Sequence, residues 1–382
     1  MKKTAILLFC FLVSLSASAQ ILYEEFNSEK LQETRKLKIQ LPRNYDSNTE
    51  KVYPIVVVLD ADYLFEPVAG NVDYLSYWED MPESIVVGIM QGEKRYDDCN
   101  YDDTNFFPAD KGAAFFEFIG LELLPFIDNN YRTAKFTIAV GHDFTANFIN
   151  YYLFKDPPLF NGYISLSPDL APLLDERIPQ RIPEIESEIF YYLATGTDDI
   201  QSLMEVTKLL NAPLQNIDSE NFEYYYDNFD GATHYSLVSR GIPNALEKIF
   251  SVYRPISKKE YSDVLLKMES PVDEYLKEKY NTIENLFALT NPIRINDFIA
   301  TATAAEKLKQ WESLREIGTM AKKQYPDMNM GDYFLGRYYE EIGEPKKAMR
   351  TFQGAFDKEE TDFITVDMLL DRADKIKADF GY

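Results

Sequence analysis

Apolar positions in the first two thirds of the chain fall into short runs separated by polar or helically spaced stretches. Arg35 to Leu41 alternates, with Leu37, Ile39 and Leu41 on one side of a period of two, and predicts a half-buried antiparallel strand. Pro54 to Leu59 carries Ile55, Val56, Val57 and Val58 in succession, and Ser84 to Met90 repeats the habit with Ile85, Val86 and Val87. Unbroken β-branched runs of this kind predict strands covered on both faces, as in a parallel sheet. Phe115 to Ile127 is spaced as a helix, and Lys135 to Val140 as a strand leading into a helix over Asn147 to Phe154. Gly162 to Leu166, Ile189 to Ala194 and Phe222 to Phe229 complete the strands. Strands alternating with helices predict an α/β fold, a mostly parallel sheet with helices on both faces.

Beyond residue 250 the strand runs stop, and Lys, Glu and Leu recur at helical spacing to the end. Within this all-α extension, Leu335-Gly336 and Tyr339, then Gly343, Ala348, Phe352 and Ala355, resemble one tetratricopeptide repeat. Asp332 stands where such a repeat has Trp, and Glu360 where it has its closing Pro. Residues 302–325, with Trp311 and Leu314, supply a preceding helix or half-repeat, so the repeat-like segment spans 302–357. One or two repeats cannot bury a core alone, so this tail is expected to pack on the rest of the chain or on a protein partner. The junction falls near Pro255 to Tyr261.

The first residues read as an export leader: Lys2 and Lys3, an apolar run from Ala5 to Leu15, then Ala17-Ser18-Ala19 as a cleavage site. Three parts follow: a leader at 1–19, an α/β domain at 20–253, and a helical tail at 254–382. The expected location is the periplasm or exterior of a Gram-negative bacterium, with no membrane span after cleavage. Removing Lys2 and Lys3 from 39 basic residues leaves 37 against 63 acidic ones, a net charge of −26. Such an excess argues against nucleic acid and against anionic membrane surfaces as partners. Cys10 leaves with the leader, so Cys99 has no intramolecular disulfide partner and reads as a packed small hydrophobe. The 27 Tyr and 26 Phe, including Tyr151-Tyr152 and Tyr224-Tyr225-Tyr226, are expected mainly in the core rather than on a carbohydrate-stacking surface.

Chemistry concentrates at Gly141-His142-Asp143-Phe144-Thr145, where a strand turns sharply into a helix. This is the layout of a nucleophile elbow, with Asp at 143 in place of Ser and Thr at 145 in place of Gly. The chain has only 2 histidines, one in this elbow and the other, His234, just after the last strand. Between them, Leu193 to Asp199 is a strand ending in Gly196 and acids, where the His-orienting acid of a triad belongs. Asp199 is the first choice for that acid and Asp198 the second.

Together with the elbow, four segments carry a family resemblance: Tyr53-Pro54-Ile55-Val56-Val57-Val58-Leu59-Asp60, Ile85-Val86-Val87-Gly88-Ile89, Glu122-Leu123-Leu124-Pro125-Phe126-Ile127, and Phe160-Asn161-Gly162-Tyr163-Ile164-Ser165-Leu166-Ser167-Pro168. In this order, up to Thr233-His234, they resemble the putative esterase family of α/β-hydrolases, which includes enterochelin-esterase-like, feruloyl-esterase-like and mycolyltransferase proteins. The tail is similar to those attached to such hydrolases in Bacteroidetes-type bacteria. The resemblance implies an α/β-hydrolase fold, no cofactor, and a small-molecule ester of carbohydrate or siderophore type as ligand. It places Asp143 at the nucleophile site, His234 as general base, Asp199 or Asp198 behind it, and the backbone N–H groups of Phe144 and of the turn near Asp62 as oxyanion donors. Ser165, Ser167 and Thr145 are read as structural.

Asp at the elbow changes the chemistry. A carboxylate has no proton to give to His, and its attack on an ester yields a reactive anhydride. Its charge also lies beside donors meant for a developing oxyanion, where loss of a single donor already costs ~3 kcal/mol. Epoxide hydrolases and haloalkane dehalogenases do use an elbow Asp, against sp³ carbon. They carry His-Gly-x-Pro after the third strand, however, where this chain has Leu59-Asp60-Ala61-Asp62, and residues 169–188 are too short for their cap. Two readings result: a hydrolase working through Asp143, His234 and Asp199, and a catalytically silent relative that binds a ligand or partner. A remote third has Asp60, Asp62, Asp143 and His234 converge on a hard cation.

Overall fold

The computed structural model describes residues 21–382; the expected leader, with Cys10, lies outside them. Eight strands form one sheet in the order β1-β2-β4-β3-β5-β6-β7-β8. They are β1 Ile21–Ser28, β2 Glu33–Gln40, β3 Tyr53–Val58, β4 Ile85–Ile89, β5 Thr133–His142, β6 Gly162–Leu166, β7 Ile189–Asp198 and β8 Phe222–Thr233. β1 and β2 form an antiparallel hairpin, β2 runs antiparallel to β4, and every later pairing is parallel. This is the mostly parallel, helix-flanked sheet that the unbroken β-branched runs predict.

Helices of this part are α1 Phe65–Tyr77, α2 Arg95–Asp98, α3 Asp110–Phe118, α4 Leu124–Asn130, α5 Phe144–Ile149, α6 Leu174–Arg181, α7 Gln201–Leu214 and α8 Ser236–Ile249. Every residue of β3 and β4 is buried. Ile55, Val57 and Leu59 enter a core with Phe115, Phe118, Phe148 and Tyr191, and the alternate Val56 and Val58 point to the opposite face. α1 and α8 pack together, while α6 packs on α7.

Three local features depart from the sequence pattern. β1 was not expected: its inward positions include Glu24 as well as Leu22 and Phe26, so the two-residue alternation is broken in the text of the chain. The single helix expected over Phe115 to Ile127 is α3 and α4 joined by a π turn at Ile119–Leu123. Pro125 stands at the start of α4 and brings no N–H to the ladder, and a π turn absorbs that gap. The helix expected over Asn147 to Phe154 tightens after α5 into a 3₁₀ turn at Asn150–Phe154.

The described residues divide into two compact units, one running to Tyr253 and including Leu286–Ala288, the other Arg254–Asn285 with Leu289–Tyr382. The second consists of helices α9 Lys258–Asp263, α10 Val272–Phe287 (its last two residues counting with the first unit), α11 Ile295–Lys307, α12 Trp311–Gln324, α13 Met330–Glu341, α14 Pro345–Gln353 and α15 Val366–Phe380. Its own core gathers Phe298, Leu314, Ile317, Phe334, Phe352 and Leu369. α13 and α14 pack as a hairpin whose turn places Gly343 at φ 79°. Asp332 is buried and holds Lys322 and, at 2.8 Å, Lys358, forming a charged clamp within the helical unit. Among the described residues no helix is long and apolar enough to cross a membrane.

Gly336 on α13 lies under the Phe352 ring of α14, where a Cβ would come within 2.2 Å of Cε1. Gly336→Ala is therefore expected to cost about 1–3 kcal/mol by overpacking, read as a lower midpoint for the helical unit in denaturant melts.

Candidate active site

β5 ends at His142, and the chain turns through Asp143 at φ 61°, ψ −121° before α5 begins. The turn is pinned by backbone bonds: Asp143 N–H donates to Leu166 O at 3.0 Å, and Asp143 O accepts from Asn147 N at 3.1 Å and Asp169 N at 3.2 Å. At Gly141 a Cβ would lie 2.5 Å from the carbonyl carbon and oxygen of Thr145, so close passage of helix over strand requires glycine there. Position 145 tolerates a side chain because that side chain is used. The buried Thr145 Oγ1 accepts from His142 N–H at 3.0 Å and lies 2.8 Å from Asp60 Oδ2 and 3.0 Å from His142 O, tying the elbow to the turn after β3.

On the far side, a register shift between Gly196 and Asp198 marks the end of the β7–β8 pairing. Asp198 pairs with Thr233 and is exposed. The next side chain, Asp199, is fully covered and reaches His234 Nδ1 at 2.9 Å. Of the two acids left open by the sequence, the structure thus brings Asp199 to the imidazole. Burial favours its neutral form, but hydrogen bonds from His234, Ser167, the Ile200 N–H and Thr195 outweigh that and lower its pKa to about 2. An ionised Asp199 fixes the proton on Nδ1 and leaves Nε2 as the basic nitrogen. Ser167, at φ 46°, puts Oγ 3.3 Å from Nδ1 and so supports the acid side of this pair rather than facing the elbow.

The residue that sequence reasoning missed is Arg95, on α2 after β4. Its Nε donates to Asp60 Oδ1 at 2.7 Å, Nη1 to Asp143 Oδ2 at 3.3 Å and Nη2 to His142 O at 3.1 Å. Its guanidinium carbon also lies 5.2 Å from the Phe144 ring centre. Asp143 is therefore ion-paired with Arg95, and among the described residues no hydrogen bond joins it to His234. Asp60 is buried at φ 54°; burial raises its pKa, against which Arg95, Thr145 and Tyr63 all pull. The backbone N–H of Asp60 donates to Gln91 Oε1 at 2.9 Å, and Gln91 in turn reaches Asp98, the buried partner of Arg35.

These contacts overturn the idea of a cation site. A guanidinium occupies the space between Asp60 and Asp143, and Asp62 spends Oδ2 on the N–H groups of Gln91 at 2.8 Å and Gly92 at 2.9 Å. Among the described residues no cluster of His, Cys, Asp and Glu suits a metal. Phe144 opens α5, so its N–H belongs to the first helical turn, and Asp62 lies on the turn after β3. Cys99 is buried, which together with nearby Asp60 and Asp98 pushes its thiol up and keeps it inert.

His142 forms a second hub. Its ring lies 4.3 Å from that of His234, its Nε2 is 3.1 Å from the His234 carbonyl, and its Nδ1 is 3.0 Å from Tyr63 OH. A carbonyl can only accept, so Nε2 carries the proton and the unprotonated Nδ1 faces the Tyr63 hydroxyl, which donates to Asp60 Oδ2 at 3.1 Å. Burial, then the neighbouring His234, lowers the His142 pKa to about 3. Neither Arg95 nor Tyr63 has a local sequence signal; their roles arise from loops far apart in the chain.

A family described as "Putative esterase" matches residues 28–225. The chain belongs to the putative esterase family. A solved but uncharacterised protein from Capnocytophaga ochracea DSM 7271 is 31% identical with a TM-score of 0.85, covering 94% of this chain and 100% of its own. An IroE-like serine hydrolase from Shewanella oneidensis shares the fold at 17% identity and TM-score 0.59, over 80% of this chain and 99% of its own. The uncharacterised YjcH of Bacillus subtilis (strain 168) is 22% identical over 236 residues, which is 59% of this chain and 95% of the relative. In this chain the turn from β5 into α5 carries Asp143, and a His234–Asp199 pair lies on the far side of the sheet end.

Two of the shifted groups, His142 and Asp199, contribute a pH dependence of the same sign. His142 titrates near 6.5 when unfolded and about 3 when folded, so the stability that its neutral ring contributes is complete above 6.5 and lost as pH falls toward 3. Asp199, with an ordinary value of 3.8 and a folded value of about 2, loses its contribution as pH falls through that lower range. Denaturation midpoints should drop between pH 6.5 and 4, and His142→Gln should flatten that part of the profile relative to its own value at neutral pH.

Proposed function

We propose that this esterase-like protein binds an ester-class small molecule, of carbohydrate or siderophore type, in its elbow cleft and does not open it by the acyl-enzyme route. The ion pair between Asp143 and Arg95 carries this reading. Acyl transfer needs a hydroxyl whose proton passes to His234 as oxygen attacks the carbonyl, and Asp143 has neither the hydroxyl nor a hydrogen bond to His234. The pairing also answers the charge problem. With Arg95 against it, Asp143 no longer confronts an incoming carbonyl as an isolated anion, so an ester can enter the cleft even though it is not cleaved. The leader-like residues 1–19 support a meeting with that ligand outside the cytoplasm.

A second reading draws on the intact elbow dihedrals and the His234–Asp199 pair. In it, Asp143 displaces a leaving group from sp³ carbon, and water deprotonated by His234 then cleaves the resulting ester of Asp143.

Aryl esters, epoxides and haloalkanes offered to wild type, Asp143→Ala, Asp143→Ser and His234→Ala separate the readings. Binding without turnover is expected for wild type. Ester hydrolysis should appear in Asp143→Ser, rising on the order of 10²-fold or more over wild type. Wild-type turnover that disappears in Asp143→Ala overturns the binding reading and selects attack by Asp143.

A further inference from the structure

The first unit contains a pocket of about 340 Å³ that none of the elbow or His–Asp residues lines. It opens between the loop that ends at Phe107 and Pro108, helix α3, and the 3₁₀ turn Asn150–Phe154 with Lys155 after it. Its walls are the rings of Phe107, Phe116, Tyr151 and Phe154, with Lys155 and Glu117 as its charged members.

The rings are held in place by their neighbours. Phe107 meets Phe154 edge-on at 5.3 Å and Tyr151 at 5.9 Å, and Phe116 stacks on Tyr152 at 4.3 Å. Tyr151 is buried with its hydroxyl 3.4 Å from Asn147 Nδ2, so it presents ring rather than hydroxyl to the space. A rigid aromatic box of this size suits one ring with a short substituent.

The charges at its edge select the substituent. Lys155 Nζ lies 5.7 Å from the Phe116 ring centre, and Arg177 lies 5.3 Å from that of Phe107 while donating to Asn105 O at 2.6 Å. Among the described residues neither Lys155 nor Arg177 has an ion-pair partner. Glu117, by contrast, is engaged by Lys30 at 2.7 Å. In a chain of net charge −24, Lys155 on the wall and Arg177 beside the Phe107 ring, with the one acid of the wall, Glu117, already engaged by Lys30, favour an anion. A cationic ligand would meet them with like charge, and a neutral one would gain nothing from them.

We propose that this pocket binds a small aromatic carboxylate, its ring among Phe107, Phe116 and Phe154 and its carboxylate on Lys155 and Arg177. The site is separate from the elbow and does not rest on the function proposed for it.

The test is calorimetric titration of the full chain with 3-phenylpropanoate, beside 3-phenylpropanamide, 3-phenylpropylamine and hexanoate. The carboxylate with a ring should bind, and each of the other three should bind at least about tenfold more weakly. Lys155→Met, Arg177→Gln and Phe107→Ala should each weaken it about tenfold, with folding checked by circular dichroism, while Asp143→Ala leaves it unchanged. No binding, equal binding of the amide or of hexanoate, or indifference to both Lys155→Met and Arg177→Gln overturns the proposal. Loss of binding in Asp143→Ala does so as well, because it places the ligand in the elbow cleft.

Discussion

One guanidinium lies between two carboxylates at the turn from β5 into α5. Arg95 holds Asp60 at 2.7 Å, Asp143 at 3.3 Å and the His142 carbonyl at 3.1 Å, and it is itself only 17% exposed. A buried carboxylate such as Asp60 is costly unless it is paired and hydrogen-bonded, and removing the partner of a buried ion pair costs about 3–5 kcal/mol. The unequal distances matter. Asp60 is the structural partner, fixed further by Thr145, whereas Asp143 binds another nitrogen of the guanidinium and keeps part of its side chain exposed. Asp143 is thus part of a local charge arrangement that joins the turn after β3, α2 and the turn from β5 into α5.

That arrangement relies on backbone geometry the family fold supplies. Glycine at 141 lets α5 cross β5 closely. Thr145 fits into the helix–strand contact because its hydroxyl exchanges hydrogen bonds with His142 and Asp60. At the end of β7, the shift of register near Gly196 coincides with the step from exposed Asp198 to covered Asp199. Gly196 has no alternative there, since a Cβ would sit 2.1 Å from the Ala232 carbonyl oxygen. His234 is held twice, by Asp199 at its ring and by His142 at its carbonyl. A site built this way stays ordered whether or not residue 143 attacks anything.

Much of the sheet was legible because buried parallel strands are written as β-branched runs, and Ile55 to Val58 or Ile85 to Val87 have no competing period. The elbow was legible for a related reason: a strand, a required glycine and a helix follow one another within a few residues. β1 escaped because Glu24 shares its inward side with Leu22 and Phe26, so edge position and pairing, rather than pattern, make it a strand. The π turn before Pro125 escaped because the apolar spacing is compatible with an unbroken helix. Arg95 and Tyr63 escaped because their meaning lies in distance. They are separated from Asp143 and His142 by 48 and 79 residues, and nothing in their own neighbourhoods singles them out.

The α/β architecture and the sharp turn from strand into helix at 141–145 were readable from the order of residues along the chain. These depend on local periodicity and on steric demands met by neighbouring residues. Tertiary structure alone decided which acid orients His234, what Asp143 is bound to and how His142 is protonated. The reason is that charge pairing and desolvation act between side chains brought together from different strands. A carboxylate's behaviour follows from which cation lies within about 3 Å of it and how much water is excluded, neither of which is written next to it in the chain.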